Sequence, residues 1–179
     1  MINYTEKWCN TTLPVMESFY TLQGEGYHTG KAAYFIRLAG CNVGCVWCDV
    51  KESWDAAKHS SVAIHTIVQQ ASAFPSKIAV VTGGEPLMHN CTFLTQALKN
   101  ANFLTHIETS GTYSISGTWD WICISPKKFK APLSSMLPLA NELKVIVFNK
   151  TDIEWAEKYA AQVTKNCHLF LQPEWDKAS

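Results

Sequence analysis

Cys41-Asn42-Val43-Gly44-Cys45-Val46-Trp47-Cys48-Asp49 sets three thiols within eight residues, spaced C-x3-C-x2-C, directly after the strand-like run Tyr34-Phe35-Ile36-Arg37-Leu38-Ala39. Three thiolates on one short loop suit three irons of a cubane [4Fe–4S] cluster, leaving the fourth iron free of protein ligands and open to a small molecule. Zinc is the competing occupant. A structural zinc takes four protein ligands, often as two separated pairs, and a second C-x-x-C or C-x-x-H pair is missing here. A fourth zinc ligand would have to be distant, with His28 or Cys91 as candidates. The spacing favours the cluster.

Around this loop the apolar pattern alternates between strands and helices. Ala33–Ala39 is nearly continuous in apolar residues, as in parallel strands covered on both faces. Arg37 interrupts it and needs an anionic partner, either a structural carboxylate or a substrate. Further strand-like runs are Ile78–Thr82, Phe103–Thr109, Trp121–Ser125, Glu142–Phe148 and His168–Gln172. A helix follows Ser60-Ser61, read as its cap, with Ile64, Ile67, Val68 and Ala71 on one face. A second carries Leu94, Ala97, Leu98 and Ala101. A third opens on the capping box Thr151-x-x-Glu154, with Ile153, Ala156, Ala160 and Val163 as its buried face. Residues 127–140 read as loop with one helical turn.

Upstream, Ile2-Asn3-Tyr4 and Pro14-Val15-Met16 read as short edge strands, and Ser18–Tyr27, with its two glycines, as a turn-rich segment. Six strands between residues 33 and 172 give compact strand-plus-helix units. An eight-unit barrel needs about 250 residues, so the pattern predicts an α/β fold with a partial, open (β/α)6 TIM-like barrel of parallel strands. A doubly wound sheet competes, although no G-x-G-x-x-G fingerprint supports it. The chain is expected to form one domain, with residues 1–32 as an N-terminal extension and 33–173 as the partial barrel. Cys41–Cys48, Gly83–Pro86, Thr109–Gly111, Ser125–Lys127 and Gln172–Pro173 each follow a strand, which places them on the C-terminal rim where such barrels build their sites.

Composition narrows the partners. Fifteen basic and fifteen acidic residues balance, and 47% of the 179 residues are apolar, so no broad field draws nucleic acid or an anionic membrane. No run is long enough to span a membrane and no signal-like segment starts the chain, so the cytoplasm is expected. Seven cysteines cannot all pair. Cys9, Cys91, Cys123 and Cys167 read as small buried hydrophobes.

With these residues in view, the chain resembles the radical S-adenosylmethionine superfamily, through the cysteine loop, Gly83-Gly84-Glu85-Pro86 and the partial barrel. Within it, Leu22-Gln23-Gly24-Glu25-Gly26, the Arg37 strand, Trp47-Cys48-Asp49, Thr82–Pro86, Glu108-Thr109-Ser110-Gly111 and Ser125-Pro126-Lys127 look like the 7-carboxy-7-deazaguanine synthase family, a family of lyases in queuosine and deazapurine biosynthesis. The resemblance implies a [4Fe–4S] cluster on Cys41, Cys45 and Cys48. It implies S-adenosylmethionine held by Trp47, Cys48 and Asp49, by Gly83, Gly84 and Glu85, and by Ser125, Pro126 and Lys127. Trp47 would stack on adenine and Glu85 would accept from the methionine ammonium. The implied substrate is 6-carboxytetrahydropterin, met by Leu22, Gln23, Gly24 and Glu25, with Arg37 clamping its carboxylate and Thr82 adding a polar contact. A 5′-deoxyadenosyl radical would start a ring contraction that loses ammonia. The family also implies a flavodoxin- or ferredoxin-like electron donor and a homodimer.

Two departures stand out. Family members usually carry threonine after the Cys-Asp pair as a ligand to Mg²⁺, and this chain has Val50, which offers no side-chain oxygen. Either substrate and water hold the ion, or it is absent, or the substrate differs. The C-terminal segment is also short for the family. The rivals to this reading are another radical enzyme, such as an activase of glycyl radical enzymes, and a non-catalytic zinc module. No conventional acid–base pair stands out, and His28 reads as a solvated turn residue.

Overall fold

In the computed structural model, which describes residues 11–174, eight strands make one sheet. In chain order they are β1 (Thr12–Leu22), β2 (Ala32–Leu38), β3 (Ser60–Ala63), β4 (Ile78–Gly83), β5 (Leu104–Thr109), β6 (Trp121–Ile124), β7 (Glu142–Val147) and β8 (His168–Pro173). Helices α1 (Ile64–Ser72), α2 (Thr92–Asn100) and α3 (Lys150–Ala160) join some of them. The spatial order is β3-β1-β2-β4-β5-β6-β7-β8. From β2 to β8 every pairing is parallel, whereas β1 runs antiparallel to both β2 and β3. This sequential order has none of the reversal that defines a doubly wound sheet. The fold is an open partial barrel, as the pattern predicts.

Side chains alternate across each strand, and the alternation separates core from cavity. Outward residues Tyr34, Ile36, Leu38, Ala79 and Val81 pack under α1 and α2, against Ile64, Ile67, Ala71, Leu94 and Leu98. Farther along, Ile107, Ile124, Leu143 and Val145 pack with Met136, Leu137, Ala156 and Tyr159. The inward residues Phe35 and Arg37 of β2 share one cavity with Lys144 and Ile146 of β7. Strands four places apart can share a space only if the sheet curves around it.

Several elements differ from expectation. β1 is an eleven-residue strand where only Pro14–Met16 was expected to be extended. A bulge between Val15 and Glu17 shifts its register, which breaks the period of two and hides the strand from pattern reading. Ser60 and Ser61 belong to β3 instead of capping α1, whose N-cap is Ala63 with no side-chain bond. The box that starts α3 is Asn149 with Asp152, not Thr151 with Glu154. Asn149 accepts from the Thr151 amide, and Asp152 accepts from the Asn149 amide. That frame turns Ile153 outward and buries Asp152, Ala156 and Tyr159. The β5–β6 connection has no helix, and the β6–β7 connection has a 3-10 turn at Leu137–Leu139. The strand expected at Ile2–Tyr4 lies outside the described residues. Among the described residues no helix is long and apolar enough to cross a membrane.

The β1–β2 connection closes the lower end of the curved sheet. Its neck is held by Gln23 N–H to the Lys31 carbonyl at 2.9 Å and Gly30 N–H to the Gln23 carbonyl at 2.8 Å. Tyr27 stacks on Trp121 at 4.9 Å and lies 4.2 Å from His168, while His28 packs 4.6 Å from His106 and 4.5 Å from Trp121, centroid to centroid. His28 is therefore a packed residue, not a solvated one. Both its ring nitrogens are buried and unpartnered among the described residues, because an aromatic cage surrounds them.

Candidate active site

The cysteine loop is fixed on both flanks by backbone bonds. Gly40 N–H donates to the Ser53 carbonyl at 2.6 Å and Cys41 N–H to the Trp54 carbonyl at 3.1 Å. From the other side, Gly84 N–H reaches the Leu38 carbonyl at 2.9 Å and Glu85 N–H the Gly40 carbonyl at 2.8 Å. The two glycines are required by this approach. Gly83 has φ +148°, and a Cβ there would lie 2.1 Å from the Leu38 oxygen. A Cβ on Gly84 would lie 2.4 Å from the Gly40 oxygen and 2.8 Å from Cys41 Cβ. The Gly-Gly segment thus seats the thiol loop as well as bordering the cavity.

Cys41, Cys45 and Cys48 all line one cavity of about 370 Å³. Burial raises the Cys41 thiol, and it pushes Cys45 up to about 11 despite the nearby Lys127 ammonium. Among the described residues no three His, Cys, Asp or Glu side chains gather closely enough for one metal ion. In a cubane cluster each cysteine ligates a different iron, so three thiols lining one cavity suit a cluster without having to converge on a single ion. The distant zinc ligands considered above do not reach the loop either. His28 sits in the aromatic cage, and Cys91 is fully buried with its thiol directed to the Pro86 carbonyl at 3.6 Å.

The cavity wall brings together most of the residues singled out from sequence. Gln23, Gly24, Glu25, Arg37, Trp47, Asp49, Thr82, Gly83, Gly84, Ser125 and Lys127 all line it. Lys127 donates to Ser125 Oγ at 2.7 Å and lies 5.4 Å from the Trp47 ring centroid, and burial lowers its pKa. Arg37 donates through Nε to Glu17 at 2.7 Å, which answers the question of its structural partner and leaves the terminal nitrogens for the cavity. Gln23 is buried, with Nε2 unpartnered among the described residues.

Four residues stand apart. Leu22 is 62% exposed and outside the cavity lining. Pro126 borders a smaller hollow beside Trp47, Phe129 and Trp155. Glu85 is 1% exposed, behind the wall, where its carboxylate accepts from the Leu87 amide, Thr109 Oγ1, and the Ser110 amide and hydroxyl. It braces the turn after β5 instead of opening onto the cavity. Val50 does not line the cavity, and its carbonyl accepts from the Ser53 amide at 3.1 Å and hydroxyl at 2.7 Å. This position therefore does not fit the magnesium that the resemblance implied.

The structure adds residues to which the sequence assigned no role in the site. Phe19 and Phe35 stack at 5.4 Å and form an apolar wall. Glu108 and Lys144 face the cavity from β5 and β7. Lys144 Nζ lies 2.9 Å from Glu25 Oε2 and 3.5 Å from Glu108 Oε1. Glu108 stood in the sequence only within the Glu108–Gly111 motif, with no role of its own, whereas Lys144 is a charge inside a largely apolar strand, the signal that drew attention to Arg37.

Comparison with known proteins agrees with this geometry. The family model described as "4Fe-4S single cluster domain" matches residues 22–166. A 7-carboxy-7-deazaguanine synthase from Flavobacterium psychrophilum is 59% identical, over 92% of this chain and 78% of that protein. One from Synechocystis is 47% identical over 91% of this chain and 78% of that protein. The crystal structure of QueE from Escherichia coli superposes with a TM-score of 0.85 at 34% identity, covering 98% of this chain and 89% of that one. With its thiol loop, Gly-Gly rim and open barrel in these relations, the chain belongs to the 7-carboxy-7-deazaguanine synthase family of the radical S-adenosylmethionine superfamily.

Proposed function

We propose that this protein is a lyase that converts 6-carboxytetrahydropterin to 7-carboxy-7-deazaguanine with loss of ammonia. The observation that carries the reading is the charge layout of one cavity. Three thiols sit on its rim, Arg37 faces it from one strand, and the Glu25–Lys144–Glu108 group faces it from the loop, β7 and β5. A flat ring with a carboxylate on one part and N–H donors on another matches that polarity.

Each residue has a role set by its chemistry. Arg37, its Nε held by Glu17, offers the remaining guanidinium fork to the substrate carboxylate. Glu25 and Glu108 accept from ring N–H groups, Gln23 Nε2 donates to a ring acceptor, and Thr82 adds a hydroxyl. Phe19 and Phe35 keep water off the ring. Trp47 gives adenine an aromatic face, Ser125 and Lys127 hold the nucleoside side of S-adenosylmethionine, and Asp49 and the Gly83-Gly84 backbone border its methionine end. Leu22, Glu85 and Pro126 support these groups from outside the wall. When bound through Cys41, Cys45 and Cys48, the cluster supplies with S-adenosylmethionine the one-electron chemistry that abstracts hydrogen from the substrate. The reading extends to a single-domain, cytoplasmic homodimer that draws electrons from a flavodoxin- or ferredoxin-like protein.

Anaerobic reconstitution tests it first. A brown protein holding about four irons and four sulfides is expected, and a colourless protein with one zinc would overturn the reading. With substrate, S-adenosylmethionine and a reductant, 7-carboxy-7-deazaguanine should form with 5′-deoxyadenosine. Uncoupled 5′-deoxyadenosine alone would overturn the substrate assignment.

A further inference from the structure

Lys144 occupies an inward position of β7, between Leu143 and Val145, which pack outward into the core. Its side chain is 7% exposed, whereas Glu25 and Glu108 keep 46% and 33% of theirs open. The ammonium bridges three separate elements: β7, the β1–β2 connection through Glu25, and β5 through Glu108. The other charged or titratable groups around it are Cys123 of β6, Lys127 beyond β6, Glu142 on its own strand and Arg37 across the cavity. Burial works against the ammonium, yet the Glu108 and Glu25 carboxylates more than offset it and hold Lys144 above the ordinary lysine value.

Two carboxylates facing one confined space repel, and the ammonium between them holds both in place. A carboxylate accepts and a ring N–H donates, so the match holds only while both carboxylates point into the cavity. We propose that Lys144 is a positioning residue that clamps Glu25 and Glu108 and aims them at the donor edge of the bound ring, and so sets specificity for an N–H-rich heterocycle. The proposal rests on the substrate reading given above and extends it. Lys144 itself need not touch substrate. Its lateral grip also ties the β1–β2 connection to the opposite side of the curved sheet, so the loop carrying Gln23 is held at the cavity before any ligand arrives.

Cluster-loaded wild type, Lys144→Met, Lys144→Arg and the double variant Lys144→Met/Glu108→Gln separate the outcomes. Substrate KM, kcat and S-adenosylmethionine affinity are measured for each. Lys144→Met should raise KM by at least about tenfold while kcat stays within about threefold. Lys144→Arg should restore most of the affinity. The double variant should lose little more than Lys144→Met alone, because a Glu108 that is no longer aimed contributes little. S-adenosylmethionine affinity and iron content should not move. A Lys144→Met enzyme with wild-type KM would overturn the proposal, as would a Lys144→Arg enzyme as impaired as Lys144→Met. If wild type fails to make the product, the substrate reading fails instead.

Discussion

Arg37 reaches Glu17 through Nε across the β1–β2 ladder at 2.7 Å, which fixes the guanidinium before substrate arrives. Replacing Glu17 by Gln should raise substrate KM by roughly three- to tenfold with kcat little changed, because a charge-assisted hydrogen bond that orients the fork is weakened. Arg37→Lys should lose about a hundredfold in kcat/KM, since an ammonium cannot reproduce a bidentate fork. Both are read from initial rates against substrate concentration. At Val50 the expectation is an absence of metal dependence. Turnover and substrate affinity should be the same with excess chelator as with Mg²⁺, and Val50→Thr should introduce a magnesium-dependent gain in affinity. A wild-type enzyme inactivated by chelation with its cluster intact would contradict this. The thiols and Arg37 were legible in the sequence because spacing and an odd charge mark them. Lys144 carries the same kind of mark, but which parity of a buried strand faces the cavity is set by how the sheet curves.

At the scale of elements, the contact between the end of β4 and the cysteine loop is the most demanding fit. Gly84→Ala would force its Cβ into the Gly40 carbonyl and Cys41. The expected result is reconstituted iron well below that of wild type and a lower Tm, read by iron assay and thermal unfolding. Gly24→Ala is the matched control. Nothing lies within 4 Å of a Cβ there, so iron content and Tm should hold even if substrate binding falls. The six parallel strands were readable because each is a short apolar run closed by a turn. β1 was not, because its bulge splits one amphipathic strand into two incompatible phases. The start of α3 was misplaced for a different reason: two overlapping box patterns compete there, and the amides of Phe148 and Asn149 reach Asp152 at 2.7 and 2.8 Å, which decides the frame.

For the whole molecule, the buried cage beneath the cavity sets an acid limit. Burial first, then the proximity of His28, lowers His106 to about 4, with Asp120 opposing. Between the ordinary histidine value and about 4, the unfolded chain binds a proton that the folded chain refuses. Stability is therefore intact above about pH 6.5 and falls by up to roughly 3 kcal/mol as pH drops towards 4. Urea unfolding of wild type and His106→Phe across this range should show the slope flattened in the variant. An equal slope in both would assign the acid loss elsewhere. The sequential strand order also bears on biosynthesis. Chains emerge from the ribosome N-terminus first and fold in that order. Here each strand from β4 onward pairs with its predecessor in the parallel run, so assembly requires no later strand to insert between earlier ones. Once β4 and its Gly-Gly turn have emerged, both backbone clasps on the thiol loop are available, while Ser125, Lys127 and Lys144 are still unmade. The iron-binding half can therefore take shape on a nascent chain, with the substrate-selecting wall added afterwards.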